Sequence, residues 1–358
     1  MPELPEVETV VRDLRPLVVG RAVRGVRHGG KKLRTAWEPA WDAAVVGRRV
    51  EGVRRRGKWI VVELEKNLTP PPPSRNGKGE PIRNPPRDRC GSPPLAPLSV
   101  SGRGRGRGSS GGPRLIVHLG MTGQFTAVDA DVPAPDHLHV VFDLDGGREL
   151  RFRDPRRFGS LTLHADEAAV GAFFTANGLG PEPFGLDAEY FRTAVRGTAR
   201  TLKALLLDQR LVAGVGNIYA DEACSRAGLH PGRTGASLTR GDADRLREAV
   251  EAVLTAAVAG RGSTIRDYVG GSGLRGGFQH EHRVYGRTGE PCGACATAIE
   301  RVVLGGRSSH FCPKCQGPGV RSQESDVRVQ KSEDGSRKRR NGRVVGKPKS
   351  PRPPNPDP

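Results

Sequence analysis

Four cysteines near the end of the chain stand in two tight pairs. Cys292 and Cys295 lie in CGAC, Cys312 and Cys315 in CPKC, giving a C-x2-C-x16-C-x2-C spacing. Two short bites of thiolate joined by a loop satisfy one tetrahedral zinc ion, and with cysteine at all four positions such a site is closed and structural. The pattern forces the two turns face to face. The segment between them, IERVVL–GG–RSSHF, reads as a β-hairpin that turns at Gly305 and Gly306 and carries Arg307 at its tip. A pair of redox CxxC motifs is the alternative reading, but no βαβ pattern surrounds them. Cys90 and Cys224 stand alone.

The net formal charge of +19 over 358 residues favours a polyanionic partner, nucleic acid before an anionic membrane. Two segments hold most of it. Residues 66–112 are rich in proline, serine and Arg-Gly repeats, with a net charge of +7. Residues 317–358 form a basic tail of +6, which leaves +6 for everything else. Both read as disordered, because neither has apolar periodicity. The remainder is only moderately basic, so nucleic-acid binding needs a local site rather than bulk charge. The tip residue Arg307, on a metal-stiffened finger, suits a phosphate contact. No apolar run approaches the roughly 20 residues that span a bilayer. Glu3, Glu6 and Glu8 argue against a signal peptide. The expected location is the cytosol, where clustered thiols bind metal more often than they pair.

PEVETVVRDLRPLVVG has the spacing of a helix, with Val7, Val10, Val11 and Leu14 on one side. Strand-like runs follow: RAVRGVRH, RRVEGVRR, KWIVVELE, RLIVHLG, HLHVVFDL, RELRFRD and GSLTLH. They suggest a β-sandwich or barrel. KWIVVELE and RLIVHLG flank residues 66–112 as hairpin partners, and lengthening the loop between them costs only about 0.6 kcal/mol per doubling. From about Asp187 the period becomes helical, in DAEYFRTAVRG, ARTLKALLLDQR, GNIYADEACSRAG and LTRGDADRLREAVEAVLTAAVAG. The expected organisation is a multidomain α+β protein. Residues 1–165 form a β-sandwich with flanking helices, interrupted by 66–112. Residues 180–288 form a helical domain, 289–316 the zinc finger and 317–358 the tail.

Several of these motifs occur together, and in order, in one known family. MPELPEVETV, RRGKW, HLGMTG, DPRRFG, LGPEP, GVGNIYADE, VYGR and the terminal four-cysteine finger, spread over residues 1–65 and 113–316, resemble formamidopyrimidine-DNA glycosylase. The related endonuclease VIII branch typically begins PEGPE, so Leu4 leans toward the purine-lesion branch. The resemblance implies a β-sandwich domain, a helix–two-turn–helix domain and a structural Zn2+. It also implies a monomeric enzyme that acts on damaged double-stranded DNA and associates with the nucleoid if bacterial. The implied activity is base-excision repair: removal of oxidised purines such as 8-oxoguanine and formamidopyrimidines, then AP-lyase strand cleavage. A pyrimidine-lesion enzyme on the same scaffold and a noncatalytic zinc-finger DNA-binding protein are the alternatives.

The opening MPEL has a chemical reading in this light. Loss of Met1 leaves Pro2 with a secondary amine, and an α-amine near pKa 7.7–8.0 is far more often unprotonated than a lysine near 10.4. Attack on the sugar C1′ displaces the base and leaves a charged iminium, an electron sink that acidifies the C2′ proton for β- and then δ-elimination. By resemblance Glu3 relays protons, Lys58 donates a proton near the lesion, and Arg307 binds phosphate and assists δ-elimination. Glu6 either shares this work or simply suits a helix N-terminus. An extruded base leaves a gap, and the resemblance assigns its filling to Met121, Arg156 and Phe158. His137 and Lys203 are the implied backbone contacts. Asn217 sits at a helix N-cap position, where free N–H groups bind phosphate. Residues 263–287 hold a glycine-rich loop that the resemblance places over the flipped base. His282 departs from the family, standing where an apolar residue is common.

Overall fold

The computed structural model describes residues 1–30, 33, 35, 37–67, 111–264 and 269–317. The stretches 68–110 and 318–358, which contain Cys90 and most of both segments expected to be disordered, lie outside the described residues.

The first helix, α1 (Leu4–Val18), forms where the spacing predicts it. Pro5 is tolerated in the first turn, whose N–H groups have no helical partner, and Pro16 falls within the last turns. Val7, Val10, Val11, Leu14 and Val18 are completely buried. Each such side chain contributes roughly 1.5–3 kcal/mol relative to exposure.

Eight strands follow in the N-terminal region: β1 (Val23–His28), β2 (Val50–Arg56), β3 (Trp59–Leu64), β4 (Arg114–His118), β5 (Gln124–Asp129), β6 (Leu138–Leu144), β7 (Arg148–Arg153) and β8 (Ser160–His164). A short helix, α2 (Asp42–Val45), precedes β2. The strands make two four-stranded sheets, ordered β1-β6-β7-β5 and β2-β3-β4-β8. Pairing is antiparallel throughout. The register of β3 against β4 runs from Trp59 opposite His118 to Glu63 opposite Arg114. The two strands that flank the 66–112 segment are therefore hairpin partners, as expected.

Period-two alternation sorts the side chains. Ile60, Val62 and Leu64 join Leu115 and Val117 in a core with Phe125, Phe142 and Phe152 of the other sheet. Val61 and Ile116 point the opposite way, onto Val170 and Phe174 of α3 (Glu167–Ala176). Strand β5 and helix α3 have no counterpart among the expected elements. β5 carries only two inward positions, Phe125 and the small Ala127, between polar neighbours.

The second core is helical. It packs α4 (Ala188–Arg196), α5 (Leu202–Leu207), α6 (Asn217–Ala227) and α7 (Arg240–Ala259) around Phe191, Leu206, Tyr219, Leu246 and Leu254. Side chains of Asp187, Thr201 and Thr239 cap three of these helices. Leu4 belongs to this helical core, whereas Val7 and the later residues of α1 belong to the sandwich core. Helix α1 is thus held at its first turn by one core and along its length by the other. Pro2, Glu3 and Glu6 of MPELPE are buried at that junction.

The finger hairpin is β9 (Glu300–Leu304) and β10 (Arg307–Phe311), paired with Leu304 opposite Arg307. Gly305 and Gly306 both have positive φ, 54° and 74°, the backbone a two-residue type I′ turn requires. Val284, Ile299 and Cys312 are the buried members of the finger's core. So small a core needs a cross-link to hold a fold.

Candidate active site

Buried carboxylates line the junction beneath the N-terminus. Pro2 is buried, Glu3 and Glu6 are each 2% exposed, and Met1 projects outward. The Glu3 N–H donates to Glu6 Oε2 at 2.7 Å. The Glu3 carboxylate accepts from the N–H groups of Ile218 (2.9 Å) and Tyr219 (3.4 Å). These are orphan donors of the first turn of α6, so the positive end of that helix holds the charge. Glu6 Oε1 accepts from Ser263 N–H at 2.7 Å and from the Tyr219 hydroxyl. Burial and the neighbouring Glu3 charge push the Glu6 carboxyl up to about 7. At Gly216, a Cβ atom would lie 2.3 Å from Glu3 Cδ. Only glycine leaves room for this carboxylate.

This arrangement corrects the expectation for Asn217. The N-cap is Gly216, and Asn217 is the first helical residue. Two first-turn N–H groups of α6, those of Ile218 and Tyr219, meet the protein's own Glu3. Asn217 Oδ1 is buried and has no hydrogen-bond partner among the described residues.

Lys58 enters from the turn between β2 and β3. It is 6% exposed, and burial is the main cause lowering its pKa. The charges of Glu3 and Glu6 oppose that shift, while Arg307 at the finger tip adds to it. Three segments distant in sequence, the chain start, the β2–β3 turn and the finger tip, therefore meet at one ammonium group. The turn is positioned by a carboxylate: Glu182 of LGPEP accepts from Gly57 N–H (2.7 Å), Arg56 (2.9 Å) and Arg55 (2.6 Å). Arg55 also reaches Glu8 of α1 at 3.0 Å. Beside Lys58 lies His118, whose imidazole is driven down to about 4 by burial and by the lysine charge, and is neutral at physiological pH. Glu182 and His118 lie inside the quoted motifs, yet nothing in their spacing marks them as partners of Lys58.

The proposed gap-filling residues lie on two neighbouring loops. Met121 is 38% exposed and Phe158 47%. Arg156 is exposed, with its guanidinium carbon 5.0 Å from the centre of the Phe158 ring. The fully buried Asp154 joins the loops, accepting from Thr122 Oγ1 (2.6 Å) and Gly159 N–H (2.7 Å). Its own N–H donates to the carbonyl of His137 at 3.1 Å. His137 is exposed and, like Arg157, has a positive φ, 68° and 61° respectively. Such backbone is uncommon for non-glycine residues and is held by its surroundings.

Lys203 departs from the expected surface contact. Its ammonium is fully buried, donating to Asp221 Oδ1 at 2.5 Å and to the Asn217 carbonyl at 2.7 Å. The other Asp221 oxygen bonds His310 through its N–H (2.9 Å) and Nδ1 (3.0 Å). Lys203 thus helps to fix the finger to α6. Glu222 does similar work, accepting from the N–H groups of Arg283 (2.8 Å), Val284 (3.0 Å) and Tyr285 (2.8 Å). Asp221 and Glu222 had one sequence signal: two adjacent acidic residues on an otherwise buried helix.

The four finger cysteines meet at one point. Their sulfur atoms all lie within 4.8 Å of one another, with Cys295 3.4 Å from both Cys312 and Cys315, and Cys292 3.9 Å from Cys315. A tetrahedral ion with Zn–S bonds of about 2.3 Å needs sulfurs about 3.8 Å apart. The cluster fits one structural zinc. Gln316 accepts from Cys312 N–H (2.8 Å) and donates to the Leu229 carbonyl (2.9 Å), tying the site to the turn after α6. Cys224 is buried in the helical core and takes no part.

Known proteins match this chain along its length. Residues 1–161 match the formamidopyrimidine-DNA glycosylase N-terminal domain, 179–269 the formamidopyrimidine-DNA glycosylase H2TH domain, and 289–317 the zinc finger found in FPG and IleRS. The formamidopyrimidine-DNA glycosylase of Herpetosiphon aurantiacus is 40% identical, with 88% of this chain and all of that protein aligned. The crystal structure of the MutM (FPG) protein from Thermus thermophilus superposes with a TM-score of 0.68 at 41% identity, covering 89% of this chain and 100% of that one. A Lactococcus lactis FPG mutant in complex with a Fapy-dG containing DNA gives a TM-score of 0.72 at 30% identity, covering 88% and 100%. With family models matching residues 1–161, 179–269 and 289–317 and a relative 40% identical along its whole length, the chain belongs to the formamidopyrimidine-DNA glycosylase family.

Proposed function

We propose that the chain is a base-excision repair enzyme that removes oxidised purines from double-stranded DNA and cleaves the strand as an AP lyase. It works as a monomer in the cytoplasm, at the nucleoid if bacterial. One observation carries the assignment: from three segments of the chain, Glu3 and Glu6 beside the N-terminal Pro2, Lys58 and Arg307 converge. No helix among the described residues is long and apolar enough to cross a membrane.

While Met1 is attached, the Pro2 nitrogen is an amide and cannot attack. After its removal the secondary amine adds to C1′, and the C1′–N bond breaks with its electron pair on the departing base. Lys58 sits close by with a depressed pKa, so it gives up a proton more readily than an exposed lysine and serves the base or the sugar ring oxygen. The adduct nitrogen sheds its proton, the C1′–O4′ bond opens with the proton on O4′, and the iminium so formed draws electrons from the C2′–H bond. Glu3, anchored on α6, takes up and returns protons without moving. Arg307 holds the phosphate that leaves in elimination. Met121, Arg156 and Phe158 fill the vacated stack, and His137 steadies the backbone. Zinc supplies no chemistry; bound by Cys292, Cys295, Cys312 and Cys315, it stiffens the finger that carries Arg307.

The test is covalent trapping. Incubating the full-length protein with abasic-site DNA and borohydride is expected to give an adduct that mass mapping locates on Pro2, in protein lacking Met1. An adduct on an internal lysine would overturn the nucleophile assignment. Release of 8-oxoguanine or formamidopyrimidine in preference to oxidised thymine checks the lesion class.

A further inference from the structure

His282 is buried at 7% exposure and is unused by the reaction scheme above. Its Nε2 lies 2.9 Å from Ser263 Oγ, which lies 3.2 Å from the Tyr219 hydroxyl. That hydroxyl bonds Glu6 Oε1, and Glu6 in turn accepts the Glu3 N–H next to Pro2. Four side chains from four separate segments form an unbroken chain of hydrogen bonds, none of it through water. All four are buried, and His282 is the most exposed of them: 2% at Glu6, 1% at Tyr219, 3% at Ser263 and 7% at His282.

We propose that Glu6–Tyr219–Ser263–His282 is a proton relay that lets the buried Glu6 carboxyl exchange its proton with solvent between steps of the reaction. This rests on the lyase reading and extends it with His282 as a positioning and relay residue rather than a catalytic one.

The step balances. The Glu6 carboxyl passes its proton to the Tyr219 oxygen as the Tyr219 proton moves to Ser263 Oγ and the Ser263 proton to His282 Nε2. Glu6 is left a carboxylate and His282 an imidazolium, which gives up a proton to water. In the reverse direction His282 Nε2–H, Ser263 O–H and Tyr219 O–H all donate toward Glu6. Both directions satisfy every hydrogen bond in the chain, as a two-way relay requires. Burial favours the neutral form at each end: the Glu6 carboxyl sits near 7, and the His282 ring is pushed below its ordinary value.

The surrounding groups bias the equilibrium. Glu3, Tyr219 and Lys58 face Glu6. At the other end Glu222 favours the imidazolium, His280 and His310 oppose it, and a backbone bond with Tyr285 supports it. The rings of Phe278 and Tyr285 close the sides, at 5.8 and 5.7 Å.

The experiment measures turnover on abasic-site DNA against pH, in H2O and D2O, for the full-length zinc-loaded protein and for His282→Leu, His282→Gln and Ser263→Ala. Wild type is expected to show a limb near pH 7 and a solvent isotope effect that bows with deuterium fraction, the mark of several protons in flight. Leu and Ala are expected to lose the bow and about tenfold in turnover, less than the ~10²–10⁴ of a group that itself meets the reacting atoms. Gln fills the same space and bonds Ser263 but cannot titrate, so it is expected to match Leu in isotope effect while keeping the thermal midpoint of wild type. A His282→Gln variant with the wild-type limb and bow would overturn the relay. Borohydride trapping of the same proteins reads the lyase assignment separately: failure to trap in wild type sinks that reading, whereas normal trapping with unchanged pH behaviour in Gln sinks only the relay.

Discussion

Glu3 and Phe158 are both assigned to one reaction, yet the protein holds them in opposite ways. Glu3 is 2% exposed, wedged between two cores, with a backbone partner at each carboxylate oxygen and a glycine cleared to admit it. Phe158 is 47% exposed, on a loop tip, with one guanidinium against its ring. The charged groups need a fixed geometry and a dry setting, because a preorganised low-dielectric site makes electrostatics strong. The groups proposed to fill the gap would meet a partner absent until DNA binds, which fits their place in solvent at the cost of exposed apolar surface. Rigidity marks the chemistry; exposure marks the recognition.

The sharpest way to break this contrast is Glu3→Gln. The amide still offers one oxygen to α6 but cannot relay a proton, so single-turnover base release is expected to fall by about 10²–10⁴-fold, while binding to lesion DNA changes little. Loss of binding equal to the loss of rate would place Glu3 with the recognition groups. Next in size is Gly216→Ala. Its Cβ would sit 2.3 Å from Glu3 Cδ, and neither backbone nor carboxylate can yield without losing the α6 contacts. Overpacking of this kind is expected to cost about 3 kcal/mol of stability, read as a lower denaturant midpoint, together with reduced strand cleavage.

This contrast also governs what the sequence could disclose. Val7, Val10, Val11 and Leu14 announce their helix, and the cysteine spacing announces its metal, because both signals are periodic and local. The exposed loops were legible through motif resemblance alone. What escaped was the identity of the buried partners. Asn217 looked like a cap, but Gly216 takes the cap position and Glu3, more than two hundred residues away in sequence, claims the helix donors. Lys203 was expected to contact the DNA backbone, and its burial depends on Asp221 and His310 arriving from two other elements. Such pairings are products of tertiary packing and leave no trace in local spacing.

A third test reads the buried floor through pH. The folded pKa of Glu6, about 7, lies above the ordinary 4.5. The folded state therefore holds a proton that the unfolded chain releases, and the contribution to stability is present in full below 4.5 and lost as pH rises to 7. Subtracting the stability profile of Glu6→Gln from that of wild type should leave a decline of roughly 3 kcal/mol across that window. A flat difference would mean that the carboxyl stays ionised and that the floor is wetter than its burial indicates.

The smallest effect is expected at the exposed end. Phe158→Ala removes a ring that packs on Arg156 and on nothing in either hydrophobic core. Its loss should shift folding stability by no more than about 0.5 kcal/mol. Against DNA the ring has a second life: an aromatic face stacking on a base is worth about 1–3 kcal/mol, so affinity for lesion or abasic duplex should drop about tenfold. Trapping by Pro2 at saturating DNA should be retained. The two readouts must separate for the comparison to stand. A Phe158→Ala protein that unfolds several degrees early but binds damaged DNA normally would show the ring to be a packing residue, and the exposed loops would then carry no recognition at that position.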